Sequence, residues 1–179
     1  MRRVYRIFLL IALYVGLSSF SEENTRLASE EYIDIYKEYA IIEMHRSGIP
    51  ASVTLAQALV ESRYGTSRLA TTANNHFGIK CKSYWRGETF YHKDDDYNKQ
   101  GKLIDSCFRA YGSALDSYVD HSNFLMNTSW YGELFQYDKT DYVNWSLGLK
   151  KCGYATNKKY ADMLINKIND FQLYQYDYM

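Results

Sequence analysis

The helical periodicity that organises most of this chain stops between Asn74 and Arg109, and that interruption limits the folds open to it. Before the break, Tyr32, Ile35, Tyr39 and Ile42 recur at helical spacing and predict a helix capped by Ser29 and ended by Gly48. Pro50 stands where a first helical turn tolerates proline, so a second helix is predicted from residue 51 to about 63. Its buried edge is Val53, Ala56 and Val60, Gly65 stops it, and a short helical turn follows over 66–70. Inside the break, Gly78, Gly87, Gly101 and the run Asp94-Asp95-Asp96 punctuate short extended pieces such as 88–91, the pattern of a β-hairpin lobe. Afterwards Ser113 and Asp116 form a capping-box pattern opening a helix through Leu115, Tyr118, Val119 and Leu125. Further helices are predicted over Tyr142–Lys151, ending at Gly153, and from 157 or 158 to 171. Helices around one small β insertion make a single α+β domain, mostly α.

The N-terminus reads as an export address. Arg2, Arg3 and Arg6 precede an apolar run over 7–17, long enough for a signal-peptide core and too short for the ~20 residues of a bilayer span. Small residues at Ser19 and Ser21 suit cleavage after Ser21, which divides the chain into a leader, 1–21, and a mature domain, 22–179, with no membrane anchor left. The whole chain balances 21 Lys+Arg against 21 Asp+Glu, and loss of the three leader arginines makes the mature protein mildly acidic. Such a balance argues against a nucleic-acid partner. Export also alters the cysteines: Cys81 and Cys107 bracket a polar, turn-rich stretch and are disulfide candidates in an oxidising compartment, with Cys152 left over. No CxxC, HExxH, P-loop, GxGxxG or GxSxG occurs, so neither metal nor cofactor is expected.

One residue stands out chemically. Glu61 ends a stretch of apolar and small residues, and Gln57 and Ala58 share its helix face. An apolar surround and the negative end of the helix dipole both raise a carboxyl pKa, which suits a general acid. On periodicity alone, a surface glutamate paired with Arg63 or Arg68 is the plainer reading.

The surrounding motif changes that balance. Ala58-Leu59-Val60-Glu61-Ser62-Arg63-Tyr64-Gly65-Thr66-Ser67 resembles the catalytic-glutamate motif of glycoside hydrolase family 73, peptidoglycan endo-β-N-acetylglucosaminidases of lysozyme-like fold. Asn74-Asn75-His76-Phe77-Gly78-Ile79-Lys80 resembles its second signature, with His76 where an aliphatic residue is common. Phe108-Arg109-Ala110-Tyr111 resembles the block after its β-lobe. Gly153-Tyr154-Ala155-Thr156 and the following residues resemble the closing signature, with Asn157 and Lys158 in place of the usual Asp-Pro.

The resemblance implies a lysozyme-like helical domain with a small β-hairpin lobe, acting as a monomer on peptidoglycan glycan strands. It implies that Glu61 protonates the glycosidic oxygen after N-acetylglucosamine. A second acid is expected in the β-lobe, where Glu88, Asp94, Asp95, Asp96 and Asp105 are available and Asp95 or Asp96 is favoured. A carboxylate there would give inversion, with the two acids ~6.5–9.5 Å apart. Without one, the substrate's own 2-acetamido oxygen could attack C1, assisted by Tyr154. Tyr64, Asn75, Phe77, Tyr111 and Tyr160 are the implied substrate-binding residues, Asn75 and Phe77 by shaping the floor, while Arg109 is expected to tie lobe to helices. Muramidase or lytic transglycosylase action on the same fold, and an inactive peptidoglycan-binding module, are the alternatives. The expected location is periplasmic or secreted.

Overall fold

The computed structural model describes the backbone of residues 2–179 and the side chains of residues 22–94 and 97–179. Met1 and the side chains of the expected leader, 1–21, and of Asp95 and Asp96 lie outside the described residues. Helix α1 spans Arg2–Ser47, so Ser29 is not its cap. Nothing from Glu22 to Ala28 breaks a helix, and the buried Ser29 hydroxyl donates instead to Thr25 O, one turn back, at 2.8 Å. The buried stripe is also displaced from the expected one: Tyr32, Ile33, Ala40, Ile41 and Met44 face the core, while Ile35 and Ile42 are 56% and 53% exposed. Gly48 ends α1 as expected, at φ +81°, with its N–H on Met44 O at 2.8 Å.

Helix α2 (Ala51–Glu61) is buried on every side from Ala51 to Leu59. A helix with no exposed face over most of its length lies inside the protein, and α2 packs against α1 and three later elements. Helix α3 (Arg68–Ala73) follows, displaced slightly from the expected turn because Ser67 is its N-cap. Strands β1 (Thr89–Tyr97) and β2 (Leu103–Arg109) form one antiparallel hairpin. Lys93 pairs with Asp105 and Tyr97 with Leu103, so the run from Asp94 to Asp96 stands opposite Ile104 alone as a bulge within β1. The sequence suggested a turn there; the turn is instead at 98–102, where Asn98 and Lys102 close the hairpin around Gly101 at φ +72°. Cys81 and Cys107 are disulfide-bonded across 5.3 Å between Cα atoms.

Helix α4 (Ala114–Asn127) opens with the expected capping box of Ser113 and Asp116. A 3₁₀ helix (Ser129–Gln136), α5 (Tyr142–Lys151), α6 (Tyr160–Asp170) and a final 3₁₀ helix (Leu173–Tyr178) complete the chain. Neither 3₁₀ helix was legible as a separate element. The last one reaches back to the start of α2, where the buried Asp177 carboxylate accepts from Ser52 N–H at 2.8 Å and Ser52 Oγ–H at 2.6 Å. It thereby caps the N-terminus of α2 from the far end of the chain. Among the described residues, no helix is long and apolar enough to cross a membrane.

Two buried groups generate predictions. Asp177→Ala removes the distant cap and is expected to lower unfolding free energy by about 1–2 kcal/mol in urea denaturation. His121 is wholly buried, its ring stacked on Phe77 at 4.0 Å, and neither ring nitrogen has a partner among the described residues. Burial pushes its pKa down to about 3. The unfolded chain takes up that proton near pH 6.5 and the folded chain does not, so this group costs stability as pH falls below about 6.5. His121→Phe should therefore stabilise by about 1–2 kcal/mol at pH 7, and by more at pH 5. Asp177, raised to about 6 by burial, has the opposite slope but is common to both proteins and cancels in the difference. An advantage that fails to grow on acidification would count against this account.

Candidate active site

Glu61 is the last residue of α2, and the chain turns immediately beyond it. Ser62 Oγ–H donates to Ala58 O at 2.6 Å and accepts from Gly65 N–H at 2.7 Å, so one buried hydroxyl ties helix end to turn. Arg63, Tyr64 and Gly65 all take the left-handed conformation, at φ 51°, 59° and 77°. Two successive non-glycine residues there store strain beside the carboxylate, of order 1–3 kcal/mol each. Gly65 is required twice over, since a Cβ would also lie 2.9 Å from the Tyr32 ring.

The half-buried Glu61 carboxylate accepts from Tyr160 Oη–H at 2.9 Å, and Tyr160 Oη accepts from Gln57 Nε2–H at 3.1 Å. Gln57, one turn before Glu61, thus orients the phenol that holds the acid. Burial pushes the Glu61 pKa above the ordinary carboxylate range, and the Tyr160 hydrogen bond draws it partly back. The Tyr154 ring stacks on Tyr160 with centroids 5.6 Å apart. Burial and the neighbouring Glu61 hold the Tyr154 phenol well above its usual pKa, so it is a hydrogen-bond donor and not a base.

A cleft of about 380 Å³ opens beside Glu61, bordered by Phe77, Lys80, Asp94, Tyr131 and Tyr154. Glu61, Gly78 and Asp94 also border a second cavity of about 420 Å³, with Arg68 and His92 on its wall. The acid therefore sits between two open sections of one groove, roofed by the hairpin. A larger cavity of about 700 Å³ lies between α1 and α6, bordered by Glu22, Glu23 and Lys167, away from every motif residue. Among the described residues, no group of three or more His, Cys, Asp or Glu could hold a metal ion.

The remaining expected residues divide by what they touch. Asn75 is buried, and its side chain is fully engaged with backbone: Nδ2 donates to Ile79 O and Arg109 O at 3.1 and 2.8 Å, and Oδ1 accepts from Ile79 N–H at 3.1 Å. It braces the floor and borders neither section of the groove; Phe77 borders the cleft directly. Tyr111 donates to Asp120 at 2.6 Å and borders neither section of the groove. Tyr64 is likewise outside it, because its left-handed turn sets the ring under the Lys167 ammonium, 5.5 Å away. Arg109 joins lobe to helices through two bonds to Asp120, at 2.7 and 2.9 Å. Lys80 and Tyr131 were not singled out for the cleft, and Asp94, available in the β-lobe but not the favoured acid, pairs with Lys80 at 2.9 Å across the cleft mouth. Lys80 ended a motif and Asp94 began the acidic run, whereas Tyr131 carried no signal.

A helix-borne carboxyl at the edge of the core, facing a groove walled by a β-hairpin, defines a glycoside-hydrolase site of lysozyme-like build. The family model described as mannosyl-glycoprotein endo-beta-N-acetylglucosaminidase matches residues 37–173, and the chain belongs to this glucosaminidase family, glycoside hydrolase family 73. It is 31% identical over 88% of its length to the exo-glucosaminidase LytG of Bacillus subtilis, and 25% identical over 93% to the peptidoglycan hydrolase FlgJ of Vibrio cholerae. It spans 57% and 52% of those two proteins, about half their length. Its fold matches the catalytic domain of the autolysin Auto from Listeria monocytogenes with a TM-score of 0.74 at 27% identity, covering 83% of this chain and 87% of that one. A peptidoglycan hydrolase from Sphingomonas sp. A1, in a mutant form, gives 0.69 at 28% identity, over 82% and 96%.

Tyr160→Phe deletes the hydrogen bond that favours the charged form of Glu61. The alkaline limb of the pH–rate profile should move up by roughly half to one pH unit, and kcat should fall by roughly threefold to tenfold. An unmoved limb would show that the bond does not govern this carboxyl.

Proposed function

We propose that the chain is a peptidoglycan hydrolase that cleaves β-1,4 bonds after N-acetylglucosamine, with Glu61 as general acid. The observation that carries this reading is the place of Glu61: a carboxyl whose pKa is raised by burial, set between two open sections of a groove. Proton delivery matters because the glycosidic bond breaks through an oxocarbenium-like transition state with a poor alkoxide leaving group. Burial favours the proton-bearing form of the acid, and the Gln57–Tyr160 relay aims it while drawing the pKa partly back. Continuation of the groove on both sides supports attack within a strand, an endo action. Lys80, Lys82, Arg63 and Arg68 on the groove walls suit a polymer bearing carboxylates.

The second group is proposed from the acidic run of β1. Asp94 borders both sections of the groove with Glu61, which supports it for holding the attacking water. Asp95 and Asp96, the candidates taken from the sequence, are to be tested beside it. Tyr154, as a permanent donor on the cleft wall, is suited to orient the substrate, and Phe77 to seat a sugar face. The protein is read as exported, monomeric, and acting in the periplasm or outside the cell. The family match favours this reading over muramidase or transglycosylase action.

Purified residues 22–179 should release reducing-end N-acetylglucosamine from peptidoglycan, identified by mass spectrometry. Glu61→Gln keeps the shape but has no acid proton, and should lower turnover by roughly 10²–10⁴-fold. Asp94→Asn should cost roughly 10²-fold or more, and more than the same change at Asp95 or Asp96, if Asp94 holds the water. Anhydromuramic ends would instead establish a transglycosylase, and equal activity in Glu61→Gln would remove Glu61 from its role.

A further inference from the structure

A fourth cavity, of about 410 Å³, adjoins the cleft and takes no part in the chemistry described above. Phe124 borders both spaces, so the two meet at that ring. The 3₁₀ helix after α4 makes the same connection: Ser129 borders the outer cavity and Tyr131 the cleft. Trp130, between them in sequence, leaves 70% of its surface uncovered.

The outer cavity is built from one face of α4 and the root of the lobe. Asp120, Asn123, Phe124 and Asn127 fall at helical spacing along α4, and Tyr84 and Arg109 stand opposite. The charges here cancel: Arg109 and Asp120 are bound to each other at 2.7 and 2.9 Å. The same guanidinium donates to Tyr84 Oη at 3.0 Å and lies 5.4 Å from the Tyr84 ring centre, holding an aromatic face that is otherwise 64% exposed. Arg109 is 3% exposed, and its Nε has no hydrogen-bond partner among the described residues. Neither Asn123 nor Asn127 uses its side-chain amide in a hydrogen bond among the described residues.

We propose that this cavity is a distal glycan subsite, occupied by an N-acetylglucosamine residue of the strand whose scissile bond lies at Glu61. The proposal rests on the glucosaminidase reading and adds where a long strand is gripped. A net-neutral pocket disfavours the carboxylates of muramic acid and stem peptides. Two unspent amides supply donors and acceptors for hydroxyl and acetamido groups, and an immobilised tyrosine ring offers an apolar face for sugar C–H groups. Continuity past Phe124 lets one extended strand occupy cleft and subsite together. Binding at the subsite is then intramolecular for a long strand and out of reach of a short one.

The test uses the full chain carrying Glu61→Gln, titrated calorimetrically with peptide-free peptidoglycan strands of two and of eight sugars. Adding Asn123→Ala and Asn127→Ala should weaken octasaccharide binding by roughly tenfold and leave the disaccharide unchanged, as expected for two lost hydrogen bonds. Asn127→Ala alone, at an exposed helical position, should give roughly threefold; an unchanged thermal midpoint in both variants excludes misfolding as the cause. No loss with the octasaccharide, or an equal loss with both lengths, would overturn the subsite. So would a loss seen only with strands that retain stem peptides, which would assign the cavity to peptide. The failure of the enzymatic reading is distinct: the protein with Glu61 intact would then release no reducing N-acetylglucosamine, whatever the length dependence of binding.

Discussion

Everything in this domain turns on placing a carboxyl at the end of a helix buried on every side. Burial of Glu61 favours its neutral form, which is what a proton donor requires, but it also costs stability. The cost is tolerated because α2 is held at both ends. Asp177 caps its start from the last turn of the chain, and Ser62 with three left-handed residues fixes its finish. The apolar surface of α2 packs against α1, α6 and the last 3₁₀ helix, and its burial stabilises the helix in place.

The second requirement is a wall opposite the acid, and a two-stranded hairpin alone is marginal in water. Here it is secured at its root by covalent, polar and aromatic ties. The Cys81–Cys107 disulfide closes a loop, worth roughly 3 kcal/mol on the chain-entropy estimate. Asn75 bonds the backbone at Ile79 and Arg109, and Arg109 reaches Asp120 on α4 while lying 4.6 Å from the Trp85 ring centre. The aspartate bulge is farther out along β1, where the ladder slips register. A bulge bends a strand and redirects its side chains, which suits an element that must present polar groups to a groove.

Much of this was legible in the chain. Glu61 could be found because its helix is otherwise small and apolar and because its motif is specific; α4, α5 and α6 could be found from caps, glycines and a regular stripe. The errors have physical causes. Ser29 looked like a cap because serine caps helices, yet a serine in a continuing helix can bond the carbonyl one turn back, and local sequence does not separate the two. Ile35 and Ile42 looked buried because they are apolar, but which stripe faces inward is decided by the partner helices. The acidic run looked like a turn because aspartates favour turns, and strand pairing overrode that preference. Tyr64 and Tyr111 came from motifs, but a motif marks a structural turn or clamp as readily as a contact with sugar.

The sequence by itself determined the helix-lobe-helix order, the candidate acid Glu61, the disulfide pair and the family, because each is written in short-range spacing or in a contiguous motif. Only the tertiary structure decided what acts on that acid. The hydroxyl on Glu61 comes from Tyr160, ninety-nine residues on, and the cap on its helix from Asp177, at the other end of the domain. Lys80 and Asp94 meet across the cleft mouth through the fold of the lobe. These pairings are set by packing between elements far apart in the chain, and no periodicity encodes them.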